Sequence, residues 1–140
     1  MTAVLVVDDS DTMRQLVRSM LEPHGYSVSE AEDGALGMAA LRTIGMPAVV
    51  LLDYHMPNMD GWEVLQAVAA EGDGLARHEF IVITADVATF PSDYIGLLRT
   101  VSIRVLPKPF SKDALVSAVD QAVERLNAPP DEPIPETQAD

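Results

Sequence analysis

The sequence predicts an α/β protein built on a doubly wound parallel sheet of five strands, with five helices. Short apolar runs alternate along the chain with segments of helical period, as they do in repeated βα units. The runs 3–7, 48–52 and 80–83 are continuously apolar, which is typical of parallel strands covered by helices on both faces. With 140 residues, 48% of them hydrophobic, the chain is long enough to bury one core.

The first strand leads into the first helix. Ser10 or Asp11 can cap the free amides of its first turn, and the breakers Pro23 and Gly25 place its end near Glu22. The apolar residues that recur at helical spacing are Met13, Leu16, Val17, Met20 and Leu21. This pattern indicates an amphipathic helix against the sheet.

Four further elements lie before and after the third strand in the sequence. Residues 26–31 alternate as a half-buried strand does, and Asp33-Gly34 opens a helix that continues through Leu36 and stops by residue 45. A third helix begins at Gly61 and ends at the glycines around residue 73. The fourth strand is the run 80–83.

The remaining elements are a weaker helix in residues 91–99, a fifth strand in 103–106 and a last helix that ends at Leu126. The tail 127–140 contains four prolines and four acidic residues. Such a segment has too few apolar groups to order itself. We therefore expect one folded domain in residues 1–126 and a disordered acidic, proline-rich tail in 127–140.

The strand order follows from the same patterns. Strands two and five alternate with Ser or Arg, which suits the edges, whereas strands one, three and four suit the centre. With right-handed crossovers this gives the flavodoxin-like order 2-1-3-4-5. In such a sheet the ligand crevice lies beyond the carboxyl ends of strands one and three.

Composition excludes several classes of partner. The chain carries 9 basic and 22 acidic residues, a net charge of −13, so that direct binding to nucleic acid or to an anionic membrane is not expected. No apolar stretch approaches the roughly 18 residues that span a bilayer, and no basic leader precedes the first strand. Cysteine is absent. These features favour a cytoplasmic protein.

Chemically active side chains stand at four predicted strand ends. Asp8 and Asp9 follow the first strand, Asp53 the third, Thr84 the fourth and Lys108 the fifth. Three converging carboxylates repel one another by about 4 kcal/mol per pair at 4 Å and an effective dielectric constant near 20, so a cation is required among them. Magnesium suits such oxygen ligands and leaves room for phosphate. Asp53 could then attack phosphorus to form an acyl phosphate, with Lys108 and Thr84 holding the phosphoryl oxygens.

Each of these residues alone has a structural explanation. Asp8 and Asp9 could favour the amino end of a helix, and Asp53 could form a turn. The functional interpretation rests on their occurring together, in order, at one end of the sheet. The three histidines lack ligand spacing, and neither GxGxxG nor GxxxxGK is present, so that binding of ATP is not expected.

The signature segments of the chain resemble those of the receiver domain of two-component response regulators. These segments are Val7-Asp8-Asp9-Ser10, the loop from Asp53 to Gly61, Thr84-Ala85 and Lys108-Pro109-Phe110. The resemblance covers about residues 3 to 126.

The resemblance implies that Asp53 accepts phosphate from a sensor histidine kinase or a histidine phosphotransfer protein. Asp9, Asp53 and the backbone carbonyl of His55 would bind Mg²⁺ directly, and Asp8 through water. Lys108 and Thr84 would hold the phosphoryl group. A cis Lys108–Pro109 bond is also implied.

Two positions depart from the family pattern. Val105 stands where a Tyr or Phe usually moves with the threonine, and we consider Phe90 or Tyr94 as its replacement. Asp86 stands where the family's residues influence the lifetime of the phosphate, and it could order or repel the hydrolytic water.

The leading interpretation is a stand-alone receiver that regulates a protein target, or relays phosphate onward. The expected contact face comprises the fourth helix, fifth strand and fifth helix, at about residues 88 to 124. An aspartate-dependent phosphohydrolase is the alternative, because Asp9-Ser10-Asp11 superficially matches its Asp-x-Asp motif. A degenerate receiver that acts without phosphate is a third possibility, disfavoured because all five key residues are present.

Overall fold

The computed structural model describes residues 2–85 and 101–128 as alternating strands and helices. The strands are β1 (Ala3–Val7), β2 (Ser27–Ala31), β3 (Val49–Asp53), β4 (Glu79–Thr84) and β5 (Ser102–Pro107). The helices are α1 (Asp11–Leu21), α2 (Gly34–Thr43), α3 (Gly61–Glu71), the single turn α4 (Asp73–Ala76) and α5 (Lys112–Leu126). A 3-10 turn, Glu22–His24, follows α1.

The predicted helix in 91–99 lies outside the described residues. So do Asp86, Phe90 and Tyr94, and all of the tail beyond residue 128. The hypotheses attached to these residues therefore remain sequence-based predictions.

All five strands are parallel, and their order is β2-β1-β3-β4-β5, which confirms the prediction. Every residue of β3 is buried, as is almost all of β4, whereas β2 and β5 each have only two buried residues among more exposed ones. The hydrophobic pattern therefore placed each strand correctly at the centre or at an edge of the sheet.

Two apolar clusters cover the faces of the sheet. On one face, Val50 and Leu52 of β3 pack with residues of α2 and α3, such as Leu41 and Leu65. On the other face, Val49 and Leu51 of β3 pack with α1 and α5. Side chains of one strand thus alternate between the two cores, so that the register of the strand decides which side chains reach which face.

Short polar side chains begin the long helices. Ser10 caps α1 by accepting from the Met13 amide at 3.2 Å, Asp33 accepts from Leu36 at 2.8 Å, and Ser111 accepts from Ala114 at 3.0 Å. Asp60 and Glu63 form a reciprocal capping box at α3. These caps fix where each helix leaves the carboxyl edge of the sheet.

The exposure of two leucines and the presence of one short helix differ from what the sequence pattern predicts. Leu16 and Leu36 are 42% and 47% exposed, although both belong to apolar helical patterns. On α1 the buried face is rotated toward Arg14, which is buried with Val17 and Leu21. The single turn α4 falls where the sequence indicated only a break after α3.

In the described residues, every helix is too short or too polar to traverse a bilayer.

His78 is a fully buried histidine just before β4. Its Nδ1 accepts a hydrogen bond from the Ala48 amide at 2.9 Å, so that the ring is neutral with its proton on Nε2. Among the residues that the structure describes, no partner accepts from Nε2. Burial, aided by the charge of Arg77, lowers the pKa of His78 to about 4. Protonation would break the Ala48 contact and bury a charge.

This arrangement predicts a stability that falls with acid. Between an ordinary pKa of 6.5 and a folded pKa of about 4 the unfolded chain binds more protons at His78, so the free energy of unfolding decreases as the pH drops through that window. The loss from this group amounts to about 3 kcal/mol by the lower end. His78→Gln removes the titrating group and should lose correspondingly less stability over the same window.

Urea denaturation from neutral pH down to pH about 4 measures the difference between the two proteins. Above neutral pH, His78 titrates in neither the folded nor the unfolded state. The difference in free energy of unfolding between the parent and His78→Gln should therefore stay constant there, which serves as the control. Parallel losses of stability in the parent and His78→Gln through the acidic window would contradict the prediction.

Candidate functional site

The parallel strands deliver the predicted residues to one edge of the sheet. Asp8 directly follows β1, Asp53 ends β3, Thr84 ends β4 and Lys108 directly follows β5. Because β1 and β3 are neighbours from which the sheet is wound in opposite directions, Asp8 and Asp53 lie at the switch point of the fold. Asp8, Asp53 and Thr84 are almost fully buried, whereas Asp9 is exposed.

Three carboxylates converge at this switch point. One oxygen from each of Asp8, Asp9 and Asp53 lies within 4.8 Å of the other two. Two of the three residues are buried, so water screens their repulsion poorly. Carboxylate oxygens are the ligands that Mg²⁺ prefers. The chemistry and spacing of this donor set therefore fit a magnesium ion.

Lys108 provides a fixed positive charge beside Asp53. Its Nζ lies 3.3 Å from Asp53 Oδ1, and its backbone amide donates to the Thr84 carbonyl at 2.8 Å. The second contact holds the residue after β5 against the end of β4. The Lys108–Pro109 peptide is cis, as the resemblance implied.

Burial and charge act in opposite directions on the two buried carboxyl groups. Burial raises the pKa of Asp53, while the ammonium group of Lys108 and the His55 amide oppose the rise. Burial likewise raises the pKa of Asp8; the Ser10 amide and Lys108 oppose it, and the charges of Asp53 and Asp9 add to it. A further positive charge at this site would lower the pKa of both groups.

Backbone hydrogen bonds hold both ends of the loop between β3 and α3. The Tyr54 amide donates to the Ile83 carbonyl at 3.0 Å, and the Gly61 amide donates to the Tyr54 carbonyl at 2.9 Å. A Cβ at position 61 would lie 2.9 Å from Tyr54 Cα and 3.0 Å from the Asp53 carbonyl, so only glycine allows this approach. His55, two residues beyond Asp53, is exposed.

The structure thus brings together Asp8, Asp9, Asp53 and Lys108, and it places Thr84 at the adjoining strand end. The predicted ligand role of the His55 carbonyl remains a prediction. Asp11, which matched the hydrolase motif, is not in the carboxylate group: its exposed side chain pairs with Arg14 instead. Arg14, which is buried next to the site, was not predicted to contact it. Its position three residues before Val17 places a charge on the buried face of α1, but no residue spacing indicates its contact with the Asp8 backbone.

The sheet order, the helices on both faces and the acidic pocket at the switch point together define a CheY-like α/β domain. Residues 4–120 match the family described as the response regulator receiver domain. The chain therefore belongs to the receiver domain family of two-component signal transduction.

Individual relatives agree with this assignment. The chain is 32% identical over 120 residues to the protein PilH of Pseudomonas aeruginosa, an alignment that covers 86% of this chain and 96% of PilH. It is 33% identical to the response regulator MprA of a Mycobacterium species, over 92% of this chain and 53% of MprA, so it spans about half of that relative.

Among solved structures, a CheY-like receiver domain protein from Methanospirillum hungatei JF-1 superposes with a TM-score of 0.78 at 28% identity. The comparison covers 89% of this chain and 96% of that one.

The charge pairing in the pocket predicts how Asp53 titrates. In Lys108→Met, without metal, we expect the pKa of Asp53 to rise above its value in the parent, because an attractive charge and a hydrogen bond are lost while burial remains. Side-chain carboxyl carbon shifts in an NMR titration report this pKa. Lys112→Met, which removes the lysine at the start of α5, is the matched control. An Asp53 titration that is the same in all three proteins would refute the pairing.

Proposed function

We propose that this chain is a response regulator receiver that accepts a phosphoryl group on Asp53. The donor is a sensor histidine kinase or a histidine phosphotransfer protein, and the output is a phosphorylation-dependent protein contact or onward phosphorelay. The observation that carries the proposal is a buried Asp53 with Lys108 at 3.3 Å and two further carboxylates within 4.8 Å. The match of residues 4–120 to the response regulator receiver domain supports this proposal.

In the proposed reaction, a carboxylate oxygen of Asp53 attacks the phosphorus of a phosphohistidine. The new O–P bond forms as the P–N bond breaks, and the departing imidazole nitrogen keeps the electron pair and takes a proton from solvent. The ammonium group of Lys108 and the hydroxyl of Thr84 would hold the phosphoryl oxygens. Asp8, Asp9, Asp53 and the His55 carbonyl would hold Mg²⁺, which supplies further positive charge to those oxygens.

The output follows from a shift between two conformations. Phosphate favours the active conformer only to the extent that it makes better contacts in that state, for example with Thr84 and Lys108. The proposed contact face spans residues 88 to 124, of which β5 and α5 are described. A net charge of −13 supports a protein partner over nucleic acid or an anionic membrane, and a cytoplasmic location fits the same proposal.

The first test is covalent. With Mg²⁺ and a small acyl phosphate, the parent should gain the mass of one phosphoryl group in intact mass spectrometry, and Asp53→Asn should gain none because its amide is not nucleophilic. Asp60→Asn is the matched control: it removes a carboxylate from the same loop while keeping a residue that can cap α3. Equal labelling of Asp53→Asn and the parent would place the reaction elsewhere.

Turnover separates the receiver from the phosphohydrolase. A receiver is modified once per molecule and releases phosphate slowly, whereas a hydrolase would cycle on added phosphomonoester. Multiple turnovers of a phosphomonoester, abolished by Asp53→Asn, would favour the enzyme. A folded parent that takes up no phosphate under these conditions would revive the phosphate-independent alternative.

A further inference from the structure

We propose that Arg14 is a positioning residue for the magnesium pocket, and that it acts by fixing the peptide between Asp8 and Asp9. The proposal rests on the function proposed above. It concerns a side chain on α1 that contacts the pocket through the backbone of Asp8.

The guanidinium of Arg14 reaches three acceptors from three different segments. Its Nη1 donates to the backbone carbonyl of Asp8, its Nε donates to Glu30 Oε1 at 2.9 Å, and its Nη2 donates to the Asp11 carboxylate. The residue is only 7% exposed. A buried arginine is costly unless its donors are satisfied, and here the end of β2 and the first turn of α1 provide acidic partners.

Asp8 is held at three points. Its amide donates to the Ala31 carbonyl of β2 at 3.1 Å, its Oδ1 accepts from the Ser10 amide at 2.9 Å, and its carbonyl accepts from Arg14. That carbonyl belongs to the peptide unit that joins Asp8 to Asp9. Its orientation therefore sets how the two carboxylates diverge, and Arg14 is the side chain that fixes it.

Arginine suits this position better than lysine does. Its planar fork can serve a backbone carbonyl and two carboxylates at once, whereas the ammonium group of lysine is a compact point charge on a flexible stem. A lysine at position 14 would keep the charge but lose the simultaneous contacts. Geometry and charge can thus be separated by substitution.

Arg18 offers a matched comparison on the same helix. It also pairs with Glu30, through Nε at 3.0 Å and Nη2 at 2.8 Å, and its third contact is Glu22 at 2.7 Å. It lies one turn further from the amino end of α1, and its side chain is 35% exposed. The two arginines share an acidic partner, but Arg14 alone of the two donates to the loop that carries the metal ligands.

The two possible roles of Arg14 have effects of opposite sign. If Arg14 acted only as a nearby positive charge, its removal would strengthen the binding of a cation. If it positions Asp8 and Asp9, its removal weakens the binding of a cation, because the two carboxylates are no longer held in a fixed orientation. Loss of a residue that orients a metal ligand typically weakens metal binding by about 10- to 100-fold.

Calorimetric titration of unphosphorylated protein with Mg²⁺ tests the proposal. We expect the dissociation constant to rise about tenfold in Arg14→Met and also to rise in Arg14→Lys, where the charge is retained. In Arg18→Met it should change by less than about twofold, since only a more distant charge is lost. Amide hydrogen exchange at Asp9 and Ser10 without metal should accelerate in the Arg14 variants and remain unchanged in Arg18→Met.

Thermal unfolding identifies the folded variants, and Arg14→Lys carries the test if Arg14→Met does not fold. The positioning role is overturned if a folded Arg14 variant binds Mg²⁺ as tightly as the parent or more tightly, or if Arg18→Met weakens binding equally. Failure of the parent itself to bind Mg²⁺ would remove the positioning role together with the magnesium pocket of the proposed function. If the parent binds Mg²⁺ and the Arg14 variants bind it equally well, only the positioning role is ruled out.

Discussion

Crowding of negative charge at the switch point is the constraint on which the arrangement of this domain depends. Asp8 and Asp53 are buried within 4.8 Å of each other and of Asp9, so the pocket is stable only with cations and amides around it. Lys108 reaches the cluster from the end of β5, and the Ser10 amide reaches it from the start of α1. The surrounding elements thus stabilise a group of carboxylates that repel one another.

The architecture could be predicted because the central strands are apolar throughout. β1, β3 and β4 are covered on both faces, so their sequences need no alternation, and the contrast with β2 and β5 was enough to order the sheet. Helix periodicity was less informative in detail. Leu16 follows the apolar pattern of α1 yet is exposed, because the sheet and Glu30 hold the helix at a rotation that buries Arg14. Tertiary contacts of that kind leave no periodic signal.

The position of the site could be predicted from the strand ends alone. The contacts that hold its residues in place could not. Parallel strands bring their carboxyl ends to one edge, so Asp53, Thr84 and Lys108 could be assigned to a common pocket before any distance was available. The support around the pocket was invisible in the sequence. Arg14 acts through a backbone carbonyl, and Gly61 is required by a close approach of two backbone segments. Neither contact depends on a recognisable residue spacing.

The alternation of β3 between two cores has a consequence for how this chain can vary. Val49 and Leu51 face the α1 and α5 side, and Asp53 continues the same odd-numbered series at the rim. Deleting one residue inside β3 would exchange the two series, exposing the wrong side chains to each core and turning the carboxylate away from its neighbours. A change of length within this strand should therefore be poorly tolerated, because the number of residues in it decides on which side the Asp53 carboxylate lies.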